Sequence, residues 1–182
     1  MFGPLSTKRY EPQQAGGRVD NPNLESVNYF LEAGCLYLAT RPALISTVLG
    51  SCVSICLWDK RRKIGGMNHF VLPKYQHCQE MTTRFGNVAT PLLVRMMQEE
   101  GTSLTDLEAQ IFGGAKVVRS ISMDIGRENV DMARRILHHF GIHIVSEDVE
   151  GQLGRKVVFN TFTGEAVVLK VKQLRRTDWS HR

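Results

Sequence analysis

Apolar positions in this chain fall into short runs broken by turn residues, with two longer stretches spaced as helices. Residues 44–48 and 53–58 are runs of strand length, both carrying β-branched side chains. The second leads into a polar turn at 59–63, and a third run over 67–72 is closed by Pro73. Thr90 reads as a helix N-cap with Pro91 at the first helical position. Leu92, Leu93, Met96 and Met97 then form a stripe that Gly101 ends. A strand over 109–112 runs into Gly113-Gly114. A second helix is predicted over 128–140, with Val130, Ala133, Ile136, Leu137 and Phe140 on one face and Gly141 as its stop. His138 and His139 fall in its last turn, where a cation suits the helix dipole. Strands follow at 142–145, 156–160 and 166–171, the last two joined into a hairpin by a turn at 161–164. The pattern predicts a single α+β domain with more strands than helices.

The ends of the chain read differently. Residues 1–26 are rich in Pro, Gly, Gln and Asn and predict a flexible arm. The folded domain is expected over 27–174, with a basic tail at 175–182. In a chain of 182 residues, that domain is long enough to bury its own core. No run approaches the length of a membrane span, and the first residues lack the apolar centre of an export signal. A cytoplasmic protein without membrane insertion is expected. The net charge of +5 would suit an acidic partner. However, Lys and Arg are scattered apart from 60–63 and the tail, with no aromatic interleaving, so nucleic-acid binding is not expected. The four cysteines contain no C-x-x-C pair, and in a reducing compartment each is expected to be a free thiol.

The segment around Cys52 carries the chemistry. Gly50-Ser51 is a turn signal directly before a strand, which puts Cys52 at the strand's first residue, at the end of a sheet. Gly50 permits a sharp bend there, so N–H groups near Ser51 and Cys52 can converge on one point and hold a developing oxyanion. His69 lies in the next run. A hairpin centred near residues 60 and 61 sets Cys52 and His69 opposite each other, with Cβ atoms about 4.5–5.5 Å apart. A free thiol is only a few per cent ionised at neutral pH, and a neighbouring imidazolium would lower its pKa. Cys56, four residues further along, should lie deeper and be packed; Cys35 and Cys78 read as structural. Ordinary packing also accounts for a Gly-Ser-Cys turn followed by a histidine. A zinc site from Cys52, Cys56, His69 and His77 or Cys78 is a further reading, but thiols four apart on a strand are too widely separated without a bulge. A non-catalytic adaptor and a cysteine protease complete the alternatives.

The motifs L-G-S-C-V-S-I-C-L-W-D and G-G-M-N-H-F-V-L-P resemble those of the chemoreceptor glutamine deamidases, the CheD family. So do F-G-N-V-A-T-P-L-L, I-F-G-G-A, I-G-R-E-N-V and E-D-V-E-G-Q-L-G-R-K-V-V-F-N-T-F-T-G further on. The resemblance runs from about Tyr29 to Val171. It implies a layered β/β/α sandwich, with Cys52 as nucleophile and His69 as base. It also implies a hydroxyl residue that orients the histidine, either Thr47 or, in a longer-spaced register, Ser46. The implied reaction converts glutamine side chains on the cytoplasmic helices of chemotaxis receptors into glutamate through a cysteine thioester. No cofactor or metal is needed. A CheC-type phosphatase as partner and recruitment to receptor clusters are further implications. Gly113-Gly114 and 74–85 are expected to border the site. Asn68 is either a substrate contact or an ordinary strand residue.

Overall fold

The computed structural model describes residues 27–75, 81–116 and 124–172. The predicted arm and basic tail lie outside the described residues, as do His77 and Cys78. Nine strands and two helices follow in chain order: β1 (Val27–Phe30), β2 (Leu36–Ala39), β3 (Ala43–Leu49), β4 (Val53–Asp59), β5 (Ile64–Phe70), α1 (Gly86–Glu99), β6 (Leu107–Gly113), α2 (Ile125–His139), β7 (His143–Val149), β8 (Gly154–Asn160) and β9 (Ala166–Val171). The strands form two mixed sheets, one ordered β1-β3-β8-β9 and the other β2-β5-β4-β6-β7.

Side-chain alternation along the strands fixes the layering. From β4, Val53, Ile55 and Leu57 pack with Leu93, Val94 and Met97 of α1 and with Val130, Ala133 and Leu137 of α2. From the opposite face of the same sheet, Cys56, Met67 and Phe112 pack with Ile45, Leu49, Val157 and Phe159. The five-stranded sheet is thus covered on both sides, which is why β4 reads as a continuous apolar run. The result is the expected α+β sandwich of sheet, sheet and helices.

Two short strands, β1 and β2, were not visible in the apolar pattern. Each has four residues, mostly half-buried, and they meet across the layers through stacked Tyr29 and Tyr37 rings 4.2 Å apart.

The first helix begins earlier than the sequence suggests. Its N-cap is Phe85, not Thr90. The N–H groups of Gly86 and Asn87 donate to Leu72 and Pro73 carbonyls at the exit of β5, so backbone replaces a side-chain cap. A Cβ on Gly86 would stand 2.8 Å from the Phe70 ring, so glycine is required for the helix to start against that strand. Thr90 is buried inside the helix and accepts from Asn68 Nδ2 at 3.0 Å, and Pro91 follows within the helix. The second helix begins at Ile125, where the Asp124 carboxylate accepts from the Arg127 N–H.

The β4–β5 hairpin is pinned by Asp59, whose Oδ1 accepts from the N–H groups of Arg61 and Arg62. Lys63 adopts a positive φ of 58°. Among the described residues no helix is long and apolar enough to cross a membrane.

Candidate active site

Cys52 sits on a turn gripped from three directions. The Gly50 carbonyl accepts from the Ala115 N–H at 2.8 Å and the Cys52 carbonyl from the Gly114 N–H at 2.8 Å. The intervening Ser51 carbonyl accepts from Asn129 Nδ2 at 2.9 Å. In a trans peptide the carbonyl and the next N–H point in opposite directions, and no cis peptide is present among the described residues. Anchoring these carbonyls therefore turns the Ser51 and Cys52 N–H groups away from the clamp. The Cys52 N–H lies against its own sulfur, where it favours the thiolate.

Gly114, which supplies part of this clamp, and Gly113 before it have φ of +68° and +109°. A Cβ on Gly113 would be 2.2 Å from the Cys52 carbonyl oxygen. Gly113→Ala is accordingly expected to cost about 2–4 kcal/mol of stability through backbone strain and this clash. It should also lower turnover by displacing the Cys52 peptide. Denaturant melts and activity assays of the purified variant would check both effects.

His69 lies on β5 with Ser54 as its direct partner on β4. The hairpin register differs by one step from the expectation: Cys52, just before β4, is diagonal to His69 and not opposite it. Because that step moves the pairing by two residues, both still face the gap between the sheets. Diagonal neighbours in such a ladder lie about 7–8 Å apart at Cα and somewhat less at Cβ.

Across the gap, Thr47 of β3 meets the ring. Its Oγ1 lies 2.8 Å from His69 Nδ1 and donates to the Leu31 carbonyl at 2.7 Å. A hydroxyl has one proton, and the carbonyl can only accept. Thr47 Oγ1 must therefore accept from Nδ1–H, which leaves the lone pair on Nε2. That Nε2 is buried without a hydrogen-bond partner among the described residues. Backbone bonds from His69 N–H to the Cys35 carbonyl and from Gly34 N–H to the His69 carbonyl hold the residue from behind.

Burial pushes the His69 imidazole down to about 4. Burial also pushes the Cys52 thiol up to about 11, opposed by its own N–H and by the Arg84 guanidinium. The resting pair is thus neutral thiol and neutral imidazole, in place of the expected thiolate and imidazolium. Low polarity around each group is the leading cause of both shifts.

The other sequence candidates stand apart. Ser46 alternates to the outer face of its sheet, its hydroxyl 3.5 Å from the Tyr29 carbonyl. Asn68 is fully buried on the helix side of β5. It accepts from the Ile55 N–H at 2.9 Å and donates to Thr90, which makes it a packing residue rather than a substrate contact. Cys56 is buried in the core between the sheets, and burial raises its thiol pKa. His138 and His139 are exposed at the end of α2. Among the described residues no group of three or more His, Cys, Asp or Glu is placed to hold a metal ion.

Two residues are not singled out by the sequence, although Arg84 lies in the 74–85 segment expected to border the site. Arg84 is carried to the site because its carbonyl accepts from the Val71 and Leu72 N–H groups, which lays 81–85 along the exit of β5. Asn129 had a readable signal, since it is a polar residue in the otherwise apolar buried stripe of α2.

The sequence model described as CheD chemotactic sensory transduction matches residues 71–170. The chain is 42% identical over 141 residues to a probable chemoreceptor glutamine deamidase CheD 1 of Anaeromyxobacter dehalogenans, covering 76% of this chain and 82% of that protein. It is 37% identical to a probable chemoreceptor glutamine deamidase CheD of Trichlorobacter lovleyi, covering 80% and 91%. The counterpart in Sulfurimonas denitrificans is 35% identical, covering 82% and 97%.

Proposed function

Since this chain belongs to the CheD family, we propose that it is a hydrolase that deamidates glutamine side chains on chemotaxis receptors. Cys52 is the nucleophile, His69 the base and Thr47 the residue that orients the base. The observation that carries this reading is the one-proton argument at Thr47: it leaves His69 with a bare, unpartnered Nε2 on the face that Cys52 shares. Ser46 offers no such contact, which favours Thr47 for the third role.

In the reaction, the Cys52 sulfur attacks the side-chain carbonyl carbon as His69 Nε2 takes the thiol proton. The Ser51 and Cys52 N–H groups stabilise the oxyanion. His69 returns the proton to the departing nitrogen, and ammonia leaves a thioester. Water then adds with His69 as base, and collapse releases glutamate and the free thiol. The sum is glutamine and water going to glutamate and ammonia, with no cofactor. The substrate class is the cytoplasmic helical region of a receptor, and the reading has the protein act in the cytoplasm near receptor clusters. A CheC-type phosphatase is the partner that the family suggests.

Incubation of a receptor cytoplasmic fragment with the protein is expected to release ammonia and to add about one dalton per glutamine converted, with the backbone intact. Shortened fragments would indicate a protease. Binding without any mass change would indicate an adaptor.

A further inference from the structure

We propose that Asn129 is a positioning residue for the oxyanion site, holding the Cys52 N–H on the line of the carbonyl oxygen under attack. The inference rests on the deamidase reading above. Asn129 projects from α2 and is fully buried. Its Nδ2 donates to the Ser51 carbonyl and to the Val71 carbonyl, each at 2.9 Å. Both partners can only accept, so the nitrogen end of the amide must face them. One side chain therefore joins the turn before β4 to the chain leaving β5, two residues past His69. It fixes the nucleophile's turn relative to the strand that carries the base.

The direction of the held carbonyl is what matters chemically. Ser51 C=O and Cys52 N–H belong to one peptide plane and point opposite ways. Nδ2 on the oxygen thus aims the N–H. Ala115 and Gly114 hold the Gly50 and Cys52 carbonyls in the neighbouring planes, and Asn129 is the group that holds the carbonyl of the plane between them. The other end of the amide supports a functional use. Asn129 Oδ1 is buried with no partner among the described residues, a desolvated acceptor that packing alone would not favour. The position keeps the side chain for its two donors.

Deamidation and alkylation separate this role from a structural one. Iodoacetamide reacts with Cys52 by displacement at a saturated carbon, a step with no oxyanion. Deamidation passes through an oxyanion twice. In Asn129→Ala, kcat on a receptor fragment is expected to fall about 10- to 100-fold. KM should stay within about twofold of wild type, and Cys52 alkylation, which involves no oxyanion and feels only the N–H contact to the sulfur, should fall much less than deamidation. Asn129→Asp, which keeps the volume but sets a carboxyl oxygen against a carbonyl, should show the same split and serves if the alanine variant does not fold. Alkylation falling in parallel with deamidation, or deamidation left unchanged, would overturn the proposal. An inactive wild type, or an active Cys52→Ala protein, would instead sink the deamidase reading itself.

Discussion

Cys52→Ala is expected to bring deamidation of a receptor fragment down to background, a loss on the order of 10⁴–10⁶ in turnover. The size follows from covalent catalysis: without the sulfur there is no acyl acceptor, and the turn that gathers N–H groups has nothing to deliver to them. Cys56 supplies the control. It lies on the same face four residues along β4, but it is buried in the core between the sheets. Cys56→Ala should keep turnover within about twofold while lowering stability by about 1–2 kcal/mol, the cost of a small cavity. Ammonia release and intact mass report the first pair of numbers, and denaturant melts the second. Residual activity in the Cys52 variant, or its loss in the Cys56 variant, would move the nucleophile elsewhere.

His69→Ala is expected to lower kcat by about 10³–10⁴, and the wild-type pH profile should carry the signature of a neutral pair. With the imidazole at about 4 and the thiol at about 11, kcat/KM should be level across neutral pH. It falls on the acid side only as Nε2 takes a proton near pH 4. No thiolate absorbance should be seen at pH 7, and nitrogen chemical shifts of His69 should report a neutral ring protonated at Nδ1. An imidazolium at pH 7 would contradict the assignment. Stability moves with the same group. The folded pKa lies below the unfolded value of about 6.5, so the unfolded chain binds the proton first. Stability should therefore drop as pH falls from about 6.5 to 4, by roughly 3 kcal/mol from this one group. In His69→Ala that component of the slope disappears.

Much of this was legible in the chain. The β8–β9 hairpin and the course of β4 follow from period and turn residues, and the Gly-Ser-Cys turn does put Cys52 at a sheet end. What could not be read was long-range. Helix α1 starts at Gly86 because its first N–H groups find carbonyls at Leu72 and Pro73, partners that a local capping rule at Thr90 does not see. The register of β4 on β5 differs by one step from the expected one, at a turn where Asp59 holds two N–H groups. Ionisation is hard to read locally for a similar reason: adjacency of thiol and imidazole is a local inference, whereas their desolvation depends on how the sheets close over them. Asn129 was missed because its partners lie 78 and 58 residues away in sequence.

The hydroxyl of Thr47 belongs to one sheet and the ring it aligns belongs to the other. With His69 as the proposed base, the seam between the layers is also the setting of that base. A drift of one layer over the other by a fraction of an ångström would leave every strand ladder intact and still turn the imidazole out of true. Chemistry in this molecule is a gauge of how its halves are seated, and it would register a loosened core before unfolding did.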